Sequence, residues 1–139
     1  MMAPERDILL DTGPLVALLD QGDPGHRACV DLWPDVADRC LTTDAVVTEA
    51  THLVGRAGAL SLPLELLLAA GIPMVSLDHE GQEHAVRLMR RYGTLPMDNA
   101  DATLVVVADL IRSSTVFTLD RRGFTTYRRG TGDGFRILP

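Results

Sequence analysis

Lysine is missing from this chain: all thirteen of its basic residues are arginine. A GC-rich coding sequence accounts for that most simply, although arginine is also the side chain best suited to bidentate contact with phosphate. Cysteine is scarce too. Two thiols, Cys29 and Cys40, cannot build the multi-bridge framework of a small secreted domain, and both are read as plain thiols in partly buried segments. No run of 18 or more apolar residues occurs, so a membrane-spanning helix is not expected. The start, Met1 to Asp7, lacks the charged and then apolar order of a secretory signal, and the expectation is a cytoplasmic chain with no membrane partner. Positive charge is in deficit: a formal net charge of −6 argues against a broad basic surface for non-specific nucleic-acid binding, though not against a nuclease.

What is present is a chain of 139 residues, 46% hydrophobic, enough for one ordinary core and too little for two. A single domain over residues 1–139 is expected. Asp7-Ile8-Leu9-Leu10 reads as a strand that breaks at Asp11-Thr12-Gly13-Pro14. A helix follows from Leu15 to Leu19, with Pro14 at its first position and Thr12 or Gly13 as its cap. A second helix runs from His26 to about Ala37, interrupted or kinked by Pro34, and leads to a strand at Cys40-Leu41-Thr42-Thr43. Asp44 caps the next helix, which reaches to about Ala57 and carries Val46, Val47, Ala50, Leu53 and Val54 on one side.

Leu60 to Ala70 reads as a helix ended by Gly71, Ile72 to Leu77 as a strand, and Asp78 to Tyr92 as a helix with Arg87, Arg90 and Arg91 near its end. The run Leu104-Val105-Val106-Val107 is β-branched and locally ambiguous. Asp98 and Asn99 are good cap residues, and Asp101, Leu104, Val105, Ala108 and Ile111 recur at helical spacing, so a helix is expected there. Thr115 to Leu119 is the clearest strand. A glycine- and arginine-rich loop then leads to a last strand, Phe135 to Leu138. Strand and helix alternate almost throughout, which argues for an α/β fold, a parallel sheet covered by helices on both faces.

On that frame, four carboxylates fall toward one edge of the sheet. Asp11 and Asp120 each follow a strand, Glu49 lies just beyond an apolar helix stripe, and Asp101 sits in a first helical turn. The C-terminal edge of an open parallel sheet is where ligands bind. Each pair of carboxylates about 5 Å apart repels by roughly 3 kcal/mol at an effective dielectric of 20, and a divalent cation removes that penalty. Oxygen ligands without Cys or His favour Mg²⁺ or Mn²⁺ over zinc. His79 and His84 stand on different helix faces, and His26 and His52 have no spaced partner, so a histidine metal site is not expected. Asp11 and Asp101 are assigned as direct metal ligands, Glu49 as a ligand directly or through water, and Asp120 as completing the cluster. Thr12 and Thr118 can bond carboxylate, water or phosphate, with a cap or plain strand role as the alternative. Asp98, one turn before Asp101, is read as a cap before it is read as a ligand. Arg121 and Arg122 can cradle phosphate, the alternative being a merely solvated loop. The chemistry is that of a metal-dependent hydrolase of phosphodiesters.

The segments Leu9-Leu10-Asp11-Thr12, Val47-Thr48-Glu49-Ala50, Pro96 to Ala102 around Asp98 and Asp101, and Thr118-Leu119-Asp120-Arg121-Arg122-Gly123-Phe124 occur in that order across the chain. In these motifs the sequence resembles the PIN-domain ribonucleases, especially the VapC-type toxins of prokaryotic toxin–antitoxin modules. The resemblance implies a three-layer α/β/α fold with a central parallel five-stranded sheet, and a Mg²⁺- or Mn²⁺-dependent endoribonuclease acting on RNA. It further implies a homodimer and an antitoxin that docks over the acidic site. Gly13 departs from the pattern, since many relatives carry serine or asparagine beside the first acid.

Asp11-Thr12-Gly13 also mimics the signature of retroviral-type aspartic proteases, but those are all-β dimers, and Pro14 here starts a helix. An aspartyl-nucleophile phosphatase would need a second acid at position 13, and no G-x-G-x-x-G follows the first strand for a dinucleotide. A PIN nuclease that is no toxin, or a catalytically silent RNA-binding module on the same fold, is the alternative; four retained acids speak against the silent form.

Overall fold

The computed structural model describes residues 5–55 and 58–139. Its frame is a five-stranded sheet of β1 (Ile8–Leu10), β2 (Cys40–Thr43), β3 (Met74–Val75), β4 (Thr115–Phe117) and β5 (Arg136–Leu138), in spatial order β3-β2-β1-β4-β5. Every pairing is parallel. Successive strand residues face opposite sides, yet Ile8, Leu9 and Leu10 are all fully buried, so helices cover both faces of β1. That is why the strand reads as an unbroken apolar run. The chain leaves β1 toward β2 and β3, then returns to pair β4 on its other side. The crevice this reversal opens lies at the C-terminal ends of β1 and β4, where Asp11 and Asp120 follow.

The helices among the described residues are α1 (Thr12–Leu19), α2 (His26–Val36), α3 (Asp44–Val54), α4 (Leu62–Ala69), α5 (His79–Arg91), α6 (Asn99–Ile111) and the single turn α7 (Arg121–Phe124). Helix α6 settles the ambiguous run. Ala102 to Ala108 is buried without a break, so this stretch carries no charge on any face because it is enclosed. Its start is fixed by a reciprocal capping box: Asp98 Oδ1 accepts from Asp101 N at 2.8 Å, and Asp101 Oδ2 accepts from Asp98 N at 3.3 Å. Among the described residues, no helix is long and apolar enough to cross a membrane.

Several sequence expectations are corrected in detail. The cap of α1 is Asp11 itself, through Oδ1 to Thr12 N at 2.7 Å, so the helix begins one residue after the strand's acid and Pro14 falls inside its first turn. Thr43, not Asp44, caps α3, its Oγ1 accepting from Val46 N. Gly55 closes α3 at φ 57°, and the expected extension to Ala57 falls outside the described residues. Strand β3 is shorter than the apolar run Ile72–Leu77, because Ile72 N donates to Leu67 O in closing α4 and Pro73 has no N–H to offer. The loop expected after Asp120 starts as α7, since Asp120 Oδ1 accepts from Gly123 N at 3.1 Å.

The segment after α7 is tied down from α6. Asp109 takes Gly130 N on both carboxylate oxygens, at 3.0 and 3.2 Å, and Arg129 Nε at 3.3 Å, while Arg129 also reaches Ser114 Oγ. Asp109→Ala is expected to destabilise the fold by about 2 kcal/mol, because these bonds involve a charged group with only 23% of its side chain exposed. Urea unfolding measures it, and a loss below about 0.5 kcal/mol would show the clamp to be dispensable.

Candidate active site

Asp11 is the centre of the acidic edge. It is 5% exposed, and its two oxygens accept from Thr12 N and from Thr118 Oγ1, each at 2.7 Å. No basic side chain among the described residues forms an ion pair with it. Burial raises its pKa to about 6, against the lowering effect of those two hydrogen bonds, and the neighbouring Glu49 and Asp120 push the same way as burial.

Glu49 is half-buried on α3, and its Oε2 accepts from Thr12 Oγ1 at 2.9 Å. Burial raises its pKa and the nearby Asp98 carboxylate adds to the rise, while the Thr12 bond opposes it. Asp101, in the first turn of α6, is raised by burial first and then by Asp11 and Asp98. Asp120 is exposed; its backbone N–H donates to Thr118 Oγ1 at 2.9 Å. One hydrogen-bond chain therefore runs from Asp120 through Thr118 to Asp11, and on through Thr12 to Glu49. Asp101 joins it through its charge on Asp11.

All four acids expected from the sequence are thus neighbours. Asp98 caps α6, as expected, and also faces Glu49. Thr12 and Thr118 both bond carboxylates, which leaves neither hydroxyl proton for phosphate. Arg121 and Arg122 are exposed at the start of α7, directly after Asp120. Arg128, though exposed, is folded back onto the carbonyls of Thr125, Thr126 and Tyr127. Beside Glu49 and Asp98 lies an open cleft of about 490 Å³ that also takes in Thr48, His52 and Asn99. It adjoins, through Thr48 and Asn99, a second cleft of about 550 Å³ between β3, α5 and α6. Nothing in the spacing of His52 or of the cleft residues marks them in the sequence.

Among the described residues, no three Asp, Glu, His or Cys side chains are gathered closely enough to hold a metal as they stand. The carboxylates are instead turned to helix caps and threonine hydroxyls. The donor set itself fits a hard divalent cation: all oxygen, short of positive charge, with Asp11 buried at its centre.

Gly13 has a packing reason. A Cβ there would lie 3.3 Å from Leu119 Cβ, and one at Gly25 would lie 2.6 Å from Leu119 Cδ1. Leu119 is wedged between the two glycines.

This fold and its acidic edge define a PIN-type protein, and the comparisons agree. A family model for the PIN domain matches residues 8–129. The chain is 32% identical over 135 residues to Ribonuclease VapC26 of Mycobacterium tuberculosis, covering 95% of this chain and 100% of that relative. The crystal structure of VapC20 from the same species, described as a sarcin-ricin loop cleaving toxin, superposes with a TM-score of 0.72 at 21% identity, over 78% of this chain and 86% of that one. The protein belongs to the PIN-domain family, and within it to the VapC type.

Proposed function

We propose that this protein is a metal-dependent endoribonuclease, the toxin of a toxin–antitoxin pair. The observation that carries the reading is Asp11, a buried carboxylate without a cationic partner among the described residues, ringed by Glu49, Asp101 and Asp120 at the ligand-binding edge of a parallel sheet. The relative named Ribonuclease VapC26 supports the substrate class. Asp11 and Asp101 are the direct ligands for Mg²⁺ or Mn²⁺, Glu49 a third directly or through water, and Asp120 completes the set. The cation would supply Lewis acidity to water and phosphate, and neutralise the acids' mutual repulsion. Thr118 and Thr12 each anchor one oxygen, of Asp11 and of Glu49, so the rearrangement of the acids around the cation starts from carboxylates already tied to the sheet edge. Arg121 and Arg122 contact the RNA backbone. A cognate antitoxin over the acidic edge and a homodimer complete the assembly, in the cytoplasm.

That no three acids among the described residues stand at ligating range favours one rival reading, a silent RNA-binding module. Purified protein incubated with total tRNA, with Mg²⁺ or Mn²⁺ against EDTA, separates the two. Cleavage is expected with either metal, and none with EDTA or with Asp101→Asn. Cleavage that persists in EDTA, or RNA binding without cleavage in metal, would overturn the proposal.

A further inference from the structure

Tyr127 is 1% exposed, yet its phenol is neither plain core nor surface. Its Oη donates to Asp101 Oδ2 at 3.3 Å. The same oxygen takes the backbone N–H of Asp98 at 3.3 Å, so two donors converge on one side of the carboxylate. No donor among the described residues reaches Asp101 Oδ1. The ring has little freedom to withdraw. Tyr92 and Phe124 meet it edge to face, each with centroids 5.1 Å away, and Phe135 in turn backs Phe124 at 5.4 Å.

The approach of this phenol to the acids depends on a missing side chain. A Cβ at Gly123 would stand 2.8 Å from Tyr127 Oη, 2.9 Å from its Cε2 and 2.6 Å from Asp120 Oδ2. Real contacts are never so short, so the glycine is what allows the phenol and the Asp120 carboxylate to share this corner.

We infer that Tyr127 is a positioning residue: locked in an aromatic box beside Gly123, its hydroxyl holds Asp101 Oδ2 and leaves Oδ1 free for a divalent cation. The inference rests on the metal-dependent reading above. It assigns the aromatic cluster of α5, α7 and the segment before β5 a part in metal affinity as well as in packing. Outer partners of metal-ligating carboxylates typically change affinity by 10- to 100-fold when removed.

Tyr127→Phe removes the hydroxyl and retains the ring. Calorimetric titration of Mn²⁺ without RNA is expected to show affinity weakened by about 10-fold or more, with melting in EDTA unchanged within a few degrees. RNA cleavage by the variant should fail at low Mn²⁺ and recover at high Mn²⁺, which a packing defect would not do. Equal Mn²⁺ affinity in the two proteins would overturn the inference and leave the nuclease reading intact. A native chain that binds no Mn²⁺ would overturn both. Should the variant not fold, Tyr92→Phe leaves Tyr127 as the sole tyrosine of the two in the chain. Its ultraviolet difference spectrum is expected to change saturably with Mn²⁺, and a flat trace would overturn the inference.

Discussion

Asp11→Asn is expected to abolish RNA cleavage and to make the metal-free protein more stable. The two effects share one cause. Burial raises the Asp11 pKa from 3.8 to about 6, so its proton is held more tightly in the folded chain than in the unfolded one. Its contribution to stability is therefore fully present below about pH 4, falls as pH rises, and is lost above about pH 6. At neutral pH the ionised group opposes folding by up to about 3 kcal/mol, at 1.36 kcal/mol per pKa unit. Asparagine is neutral throughout. Its Oδ1 can accept from Thr12 N as the aspartate does, and its Nδ2 can donate to Thr118 Oγ1, which still has a lone pair beyond the one used by Asp120 N. The cap survives and the charge does not. Thermal melts at pH 7.5 in EDTA should rise by roughly 5–10 °C, and the pH dependence of stability between 4 and 6 should flatten. Cleavage should fall by more than about 100-fold, since even an outer partner of a metal ligand costs 10–100-fold. A less stable Asp11→Asn protein, or one that still cuts, would contradict this account of the site.

The second large effect is metal-linked stabilisation that depends on pH. A cation must displace the protons that the raised pKa values of Asp11, Glu49 and Asp101 retain. At pH 8, Mn²⁺ at about 100 times its dissociation constant should stabilise the fold by about 2.7 kcal/mol. At pH 5.5 Asp11 is largely protonated, and the same Mn²⁺ concentration should shift the melting temperature far less. The carboxylates must also rotate to ligate, since none of the described acids is pre-gathered in threes, and this lowers affinity further. Melting with Mn²⁺ and with EDTA at the two pH values measures it directly. An equal shift at both would mean that the cation binds elsewhere.

Much of the architecture was legible because its signals are local. The apolar run into Asp11, the cap candidate Asp98 and the strand starting at Thr115 each show in a few adjacent residues and appear where expected, although that strand, expected to reach Leu119, stops at Phe117, and the reciprocal bond from Asp101 back to Asp98 was not foreseen. The ambiguous Leu104 to Val107 run became a helix because a cap precedes it, and enclosure made its β-branched residues welcome. What the sequence hid depends on distance. Thr118 meets Asp11 across 107 positions and Tyr127 meets Asp101 across 26, and neither pairing leaves a periodicity. Caps were misplaced by one residue because Asp11 and Thr12 are both good candidates, and only backbone geometry separates them. The single turn α7 was too short to show as a pattern. The orientation of the acids was out of reach, because a carboxylate's rotamer is chosen by whichever donor arrives from another part of the chain.

Leu119, set between Gly13 and Gly25, decides differently for the two glycines what could replace them. A Cβ at position 13 would meet Leu119 Cβ, which every residue but glycine carries, while one at position 25 would meet only the tip of the Leu119 side chain, on a residue that is 38% exposed. Shortening residue 119 therefore makes room at position 25 and not at position 13. A side chain at position 13 has to be taken up by a shift of a few tenths of an ångström in the backbone that runs from Leu119 into Asp120.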